Sequence, residues 1–248
     1  MLPEGGESPP EVFDALIALR SPAFGLVLDP GTSERLARYL AVLDLWRRRT
    51  NLTGPLSAQE LVEHALESAF AVDWIAPGAS LADVGSGAGF PGIPIAILRP
   101  DVSIVPVEPR KKRREFLDHV SQILGLANVA AAAPGLSGLR AARLSGAVSR
   151  AVGGLAEIVG KGEFLEPRGV LLAWTTEPEA LARDLGRRFR LESVREVPGS
   201  RKKRIALFRK TSERPVKQEK RGLAAGVPRG TFGRGVRSAN RRPRERSA

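Results

Sequence analysis

At 248 residues, 42% of them apolar, the chain is long enough for one ordinary folded body with a sizeable core and appendages. It has no cysteine, which excludes disulfides, thiolate zinc sites and covalent catalysis through a thiolate. The net charge of +12 is uneven: residues 1–200 hold 22 Lys/Arg against 24 Asp/Glu, whereas residues 201–248 hold 17 against 3, so the carboxyl-terminal segment carries the whole excess.

Along the first 30 residues, Pro-rich and Gly-rich pieces surround one apolar patch, Val12 to Leu19, which reads as a short helix in a weakly constrained segment. Residues 31–76 read as a helical cap. Ser33 has the character of an N-cap, followed at helical spacing by Leu36, Tyr39, Leu40, Leu43 and Trp46, with Arg47 to Arg49 near a C-terminus where cations suit the dipole. A second helix is predicted from Ser57, with Glu60 completing a capping box and Leu61, Ala65, Leu66, Ala69 and Val72 facing inward.

From residue 77 to 210 the pattern alternates. Strands are expected near 80–84, 102–107, 128–132, 145–149, 169–174, 190–197 and 203–208, with helices near 91–98, 109–124, 153–163 and 177–187. Such alternation implies an α/β fold: a mostly parallel seven-stranded sheet with helices on both faces, whose last two strands form a hairpin around Val197-Pro-Gly-Ser200. Pro106 lacks a ladder donor, so it is expected to mark a bulge or an early end of the second strand. Residues 211–248 lose periodic apolar positions and gain Gly, Pro and Arg. A segment of that kind cannot offset its ordering entropy by burial, and we expect it to be disordered in isolation. Its basic charge suits phosphate neutralisation, and the bland alternative is a solvated extension.

The stretch richest in chemistry is Leu81-Ala-Asp-Val-Gly85-Ser-Gly87-Ala-Gly89-Phe90-Pro91-Gly92, three alternate glycines directly after a short apolar strand. It is either a plain strand-to-helix turn or a cofactor loop, in which missing Cβ atoms let a ligand approach the backbone. A dinucleotide fingerprint has G-x-G-x-x-G spacing, and here it is G-x-G-x-G, with Glu108 after the next apolar run placed to hold two ribose hydroxyls. Glycine spacing and acid together resemble S-adenosylmethionine methyltransferases of the Rossmann-like class I type.

The resemblance narrows with further segments. Asp83 to Pro94, then Arg99-Pro100, Arg110 to Leu117 and Leu124 to Val129 resemble the glucose-inhibited division protein B family. Upstream, Asn51-Leu-Thr53 and His64-Ala-Leu-Glu-Ser68 are similar to that family's N-L-T and H-x-x-D-S signatures, and Val148-Ser-Arg-Ala-Val152 to its S-R-A segment, so the likeness runs from about Ser33 to Arg209. The resemblance implies a methyltransferase that uses S-adenosylmethionine to methylate guanine N7 in small-subunit (16S) ribosomal RNA. Its substrate would be that RNA or the assembling 30S subunit. Guanine N7 is a neutral ring nitrogen with an available lone pair, so no general base is needed and no catalytic side chain is assigned; positioning and electrostatics suffice.

For the cofactor, the resemblance points to Gly85, Gly87 and Gly89 as the wall, Phe90 at the helix start, Glu108 at the ribose, Leu136 and Ser137 near the adenine, and Arg150 at the end of the fourth strand. Arg110, Lys111, Lys112 and Arg150 are the candidates for RNA. Bland alternatives stand beside these: Glu108 as partner of the Arg110–Arg114 run, Arg150 as a cap on the sheet edge, and Trp174 as core instead of a base-stacking surface. His64 and His119 are expected in structural or surface roles.

The chain also departs from the family pattern. Glu108 stands where aspartate is usual, Ala133 to Leu139 lacks the charged residues near the adenine, Ser145 replaces an aspartate, and Ala173-Trp-Thr-Thr176 replaces an alanine-lysine-glycine segment. These departures keep open a second reading, a weak or inactive RNA-binding ribosome-assembly factor with the same fold. A nicotinamide oxidoreductase is disfavoured by the glycine spacing, and a small-molecule methyltransferase is a further competitor, against which loss of RNA binding on removal of the basic segment would argue. No metal and no membrane partner is expected: apolar runs are too short for a span, and Glu4, Glu7, Glu11 and Asp14 do not suit a signal peptide. A soluble cytoplasmic monomer is the expectation.

Overall fold

The computed structural model describes residues 8–139, 142–160 and 163–211. The basic segment expected to be disordered lies almost wholly outside these residues.

Three helices come first: α1 (Pro10–Arg20), α2 (Pro30–Arg47) and α3 (Ala58–Ala69). α3 starts as its sequence predicts. The Ser57 hydroxyl accepts from the Glu60 N–H at 3.2 Å while the Glu60 carboxylate accepts from the Ser57 N–H at 2.6 Å, closing the capping box. α2 starts a turn earlier than the sequence suggested. Asp29, not Ser33, is the cap, accepting from the Thr32 N–H at 3.0 Å, with Pro30 at the first helical position where its missing N–H costs nothing. Ser33 sits inside the helix and bonds Asp14.

The core then alternates β1 (Ser80–Val84), α4 (Gly92–Leu98), β2 (Ser103–Val107), α5 (Lys111–Ile123), β3 (Leu144–Arg150), α6 (Leu155–Gly160), β4 (Leu165–Thr175), α7 (Pro178–Leu185), β5 (Phe189–Glu196) and β6 (Arg204–Lys210). The strands form one sheet in the order β2-β1-β3-β4-β6-β5, parallel through β4, with the β5–β6 hairpin antiparallel at the far edge. Strand order reverses between β1 and β3, so the loop after β1 opens into the crevice where such sheets bind ligands.

The sheet has six strands instead of seven, and Pro106 gives the reason. Residues 128–133 run beside β2 but touch it only through two isolated bridges, Ile104 to Val129 and Val107 to Ala133. Ile104 donates to Asn128 O and accepts from Ala130 N, whereas Pro106 only accepts, from Ala133 N at 2.8 Å. With no N–H at Pro106 the ladder skips a residue, and no regular strand forms. On its inner side, β2 is undisturbed: Pro106 pairs in register with Asp83.

Alternation along the strands sorts two cores. Leu81, Ile104, Val148, Leu172 and Ile205 face α1 to α5, packing with Phe13, Tyr39, Leu66 and Phe116. Ala82, Ala147, Leu171, Ala173 and Phe208 face α6 and α7, packing with Leu155, Val159 and Leu185. The amino-terminal helices therefore share the apolar core on one sheet face, and this brings α3 to the carboxyl ends of β3 and β4.

Candidate functional site

Where β1 ends the chain turns through Gly85, at φ +75°, and Gly87, at φ +55°, a left-handed path that a Cβ would strain. The turn is stitched to β2: Gly85 N–H and Ser86 N–H both donate to Val107 O, and the Ser86 hydroxyl accepts from Val107 N–H at 3.1 Å. Gly89 does a different job from the one expected. It lies off the cleft, and a Cβ there would come within 2.8 Å of Ile93 and 3.0 Å of the Tyr39 hydroxyl, so its bareness lets the loop pack on α2. Tyr39 donates its hydroxyl to Ala88 O at 2.8 Å across that contact.

Glu108 reaches back from the end of β2 to this loop. Its carboxylate is 4% exposed and accepts from Gly87 N–H at 3.1 Å and from Arg110 N–H at 2.9 Å, with Arg113 Nη1 3.9 Å away. Both readings of Glu108 are therefore present: it closes the glycine loop, and it has a neighbour in the Arg110–Arg114 run. Between loop, carboxylate and the facing 134–137 segment lies a cleft of about 990 Å³. Gly85, Gly87, Phe90, Glu108, Leu136, Ser137, Arg110 and Arg150 all line it.

Lys111 and Lys112 do not. Each residue of a helix advances about 100°, so Arg110 and Arg113 share the face toward the cleft while the two lysines between them turn to solvent. Lys111 lies 3.7 Å from Glu115 on that outer face. Arg113, not singled out before, lines the cleft and donates to Asn51 O at 3.1 Å, tying α5 to the segment before α3.

A second feature centres on Glu67 of α3, the acid of the His64 to Ser68 segment, to which sequence reasoning gave no role. Its carboxylate lies 2.9 Å from Arg150 Nη2 and 3.5 Å from His64 Nδ1, and it pairs with Lys203 from the β5–β6 turn. Its backbone oxygen accepts from Trp174 Nε1 at 2.9 Å. Burial pushes the Glu67 carboxyl up, but His64, Arg150 and Lys203 outweigh that and hold it below its ordinary value. Burial also lowers the Arg150 guanidinium, against the opposing pull of Glu67. Arg150 lies 5.6 Å over the Phe90 ring, whose other neighbours are Tyr39 and His64. Arg150 is thus a clamped group between the cap and the strand ends, not a cap on a sheet edge. His64 is half-buried, lines the cleft and contacts Arg150 through Nδ1; His119 packs on Trp46 with ring centroids 5.1 Å apart. The hints of the network were the likeness of His64 to Ser68 to the H-x-x-D-S signature and the i, i+3 spacing of His64 and Glu67, which puts them on one helix face.

Two buried oxygens lack a protein partner among the described residues: Thr53 Oγ1, on the cleft wall, and Asp83 Oδ1, whose residue does not line the cleft. Asp83 Oδ2 accepts from Gly92 N–H at 3.2 Å. Burial pushes this carboxyl up to about 7.

Comparison with known proteins places this geometry in a lineage. The model of the GidB family, described as rRNA small subunit methyltransferase G, matches residues 32–198. A Ribosomal RNA small subunit methyltransferase G from Roseiflexus castenholzii is 32% identical over 223 residues, which is 83% of this chain and 94% of that protein. Another of the same name, from Wolinella succinogenes, is 42% identical over 106 residues, 43% of this chain and 55% of that protein, so this match spans about half of the relative's length. A solved structure of a SAM dependent methyltransferase from Aquifex aeolicus shares the fold, with a TM-score of 0.50 at 15% identity over 65% of this chain and 96% of that one. The matched residues 32–198 take in α2, Thr53, the Glu67 hub, the glycine loop, Glu108, Arg150 and Trp174, which is most of the site, and on that ground the chain belongs to the rRNA small subunit methyltransferase G family.

Proposed function

We propose that this chain is an S-adenosylmethionine-dependent methyltransferase acting on guanine N7 of small-subunit (16S) ribosomal RNA, naked or in the assembling 30S subunit, and working as a monomer. The observation that carries the reading is Glu108, a buried carboxylate anchored on the glycine loop at the wall of a cleft large enough for a nucleoside with an amino-acid arm. The residues fit that cofactor. Glu108 accepts hydroxyl donors, Leu136 offers an apolar surface and Ser137 one hydrogen bond for a base, and the unpartnered Thr53 hydroxyl on the cleft wall leaves polar capacity. When bound, S-adenosylmethionine supplies a methyl group activated by a sulfonium.

The side chains position and shield. Phe90, under Arg150, and the turn at Gly85 set the floor, while Glu67 and His64 hold the guanidinium of Arg150 in one place. A guanidinium fixed in this way offers N–H donors to a guanine O6 or a phosphate without reorganising, which favours transfer through preorganisation. No side chain has to remove a proton from N7. Calorimetric titration with S-adenosylmethionine tests the reading: saturable binding at one site is expected, and a flat titration would remove the cofactor from the account. Binding without any transfer to rRNA would instead favour the assembly-factor reading, which the Trp174-Thr-Thr176 strand end keeps in view.

A further inference from the structure

A second cleft, of about 470 Å³, adjoins the first and shares Arg150, Ala151 and Val152 with it. It opens over the carboxyl ends of β3 and β4. Ala151, at the partition, is held at φ +52°, a left-handed conformation uncommon for a residue with a Cβ and typical of positions fixed for function. Trp174 forms part of the wall and cannot swing away, because its indole N–H is bonded to Glu67 O.

Charge is divided across this cleft. On the α3 side stand Arg150 and Lys203, both paired with Glu67. On the α7 side stand the carboxylates of Glu177 and Asp184, exposed and without side-chain partners among the described residues. Asp184 sits in the last turn of α7, where the helix dipole disfavours an anion, and Glu177 precedes the helix without capping it through its side chain. Glu177 suits the dipole at the start of α7 but makes no side-chain bond to it, and Asp184 gains nothing from its end of the helix.

We propose that this cleft is the pocket for the target guanine, turned out of its RNA stack. The inference rests on the function proposed above and deepens it. Guanine carries acceptors, O6 and N7, on one edge and donors, N1–H and N2–H₂, on the other. Seated against Trp174, the base presents its donor edge to Glu177 and Asp184 and its acceptor edge to the partition. There Arg150 meets O6 and N7 looks into the cofactor cleft. Adenine, with a ring nitrogen acceptor in place of N1–H, sets a lone pair against the same carboxylates.

The test compares transfer to an rRNA fragment carrying the target guanine with transfer to the same fragment carrying inosine, which lacks the N2 amino group. In the wild type, kcat/KM should fall roughly tenfold or more on inosine, because a carboxylate covered by the seated base is left without its N2 donor. The Glu177→Ala/Asp184→Ala double variant should fall to a similar level on guanine, treat the two fragments alike, and bind S-adenosylmethionine with unchanged calorimetric affinity. A wild type that accepts both fragments equally, or a double variant that keeps the wild-type preference, overturns the pocket alone. A wild type that transfers to neither fragment overturns the proposed function, and the pocket with it.

Discussion

The two clefts are built in opposite ways. The anchor of the first is written almost contiguously: Asp83 to Gly92 supply the loop, and Glu108 returns to Gly87 from the end of the next strand, 21 residues on. The second is assembled from α3, β3, β4, α7 and the β5–β6 turn, and its central contact joins residues 136 apart, Glu67 and Lys203. Local chemistry with a fixed spacing can be read from a sequence, whereas a constellation gathered by the fold can be read only once the fold is known.

The contrast breaks most sharply at Glu67. Replacing it by alanine leaves the buried Arg150 guanidinium without its carboxylate, and loss of one partner from such a pair costs about 3–5 kcal/mol. Denaturant unfolding should show that loss, and a change under about 1 kcal/mol would mean the hub contributes little.

Asp83 sharpens the comparison from the side of the contiguous cleft. Its folded-state pKa of about 7 exceeds the ordinary aspartate value of 3.8, so the folded protein keeps a proton that the unfolded chain releases. The carboxyl therefore favours the fold fully below about pH 4, and that contribution is lost as pH rises toward 7, by up to about 4 kcal/mol from the size of the shift. Asp83→Asn keeps an acceptor for Gly92 N–H and does not titrate. Its thermal stability should vary less than the wild type's between pH 4 and 7, and parallel profiles would contradict the assignment.

At Glu108 the expected effect is smaller and falls on binding. Glu108→Ala should weaken S-adenosylmethionine by about 1–3 kcal/mol in calorimetry, the worth of a charged acceptor. Smallest of all is Lys111→Ala/Lys112→Ala, which lies outside both clefts and should leave cofactor affinity within about 0.5 kcal/mol of wild type. A larger drop there would return α5's outer face to the site.

Much of the fold was legible because its signals are local. The Ser57/Glu60 capping box, the glycine turn and the hairpin at Val197 to Ser200 each rest on residues within a few positions of one another. Ser33 misled because Asp29 with Pro30 made a better start one turn upstream. Pro106 was flagged, but its effect fell on the neighbouring 128–133 segment, since the missing N–H points outward. Lys111 and Lys112 looked like their arginine neighbours until helical phase separated them. Glu67 carried only the H-x-x-D-S likeness and its spacing to His64, with Arg150 and Lys203 too distant in sequence to suggest one carboxylate.

The central claim is that the cleft at Gly85, Gly87 and Glu108 serves methyl transfer to guanine N7 of small-subunit rRNA. The most direct measurement is N7-methylguanosine in 16S rRNA from a strain lacking this protein, complemented in turn with the wild type and with Glu108→Ala. We expect the mark to be absent without the protein, restored by the wild type and reduced with the variant. An unchanged mark in the deletion strain, or none after complementation with the wild type, would contradict the account.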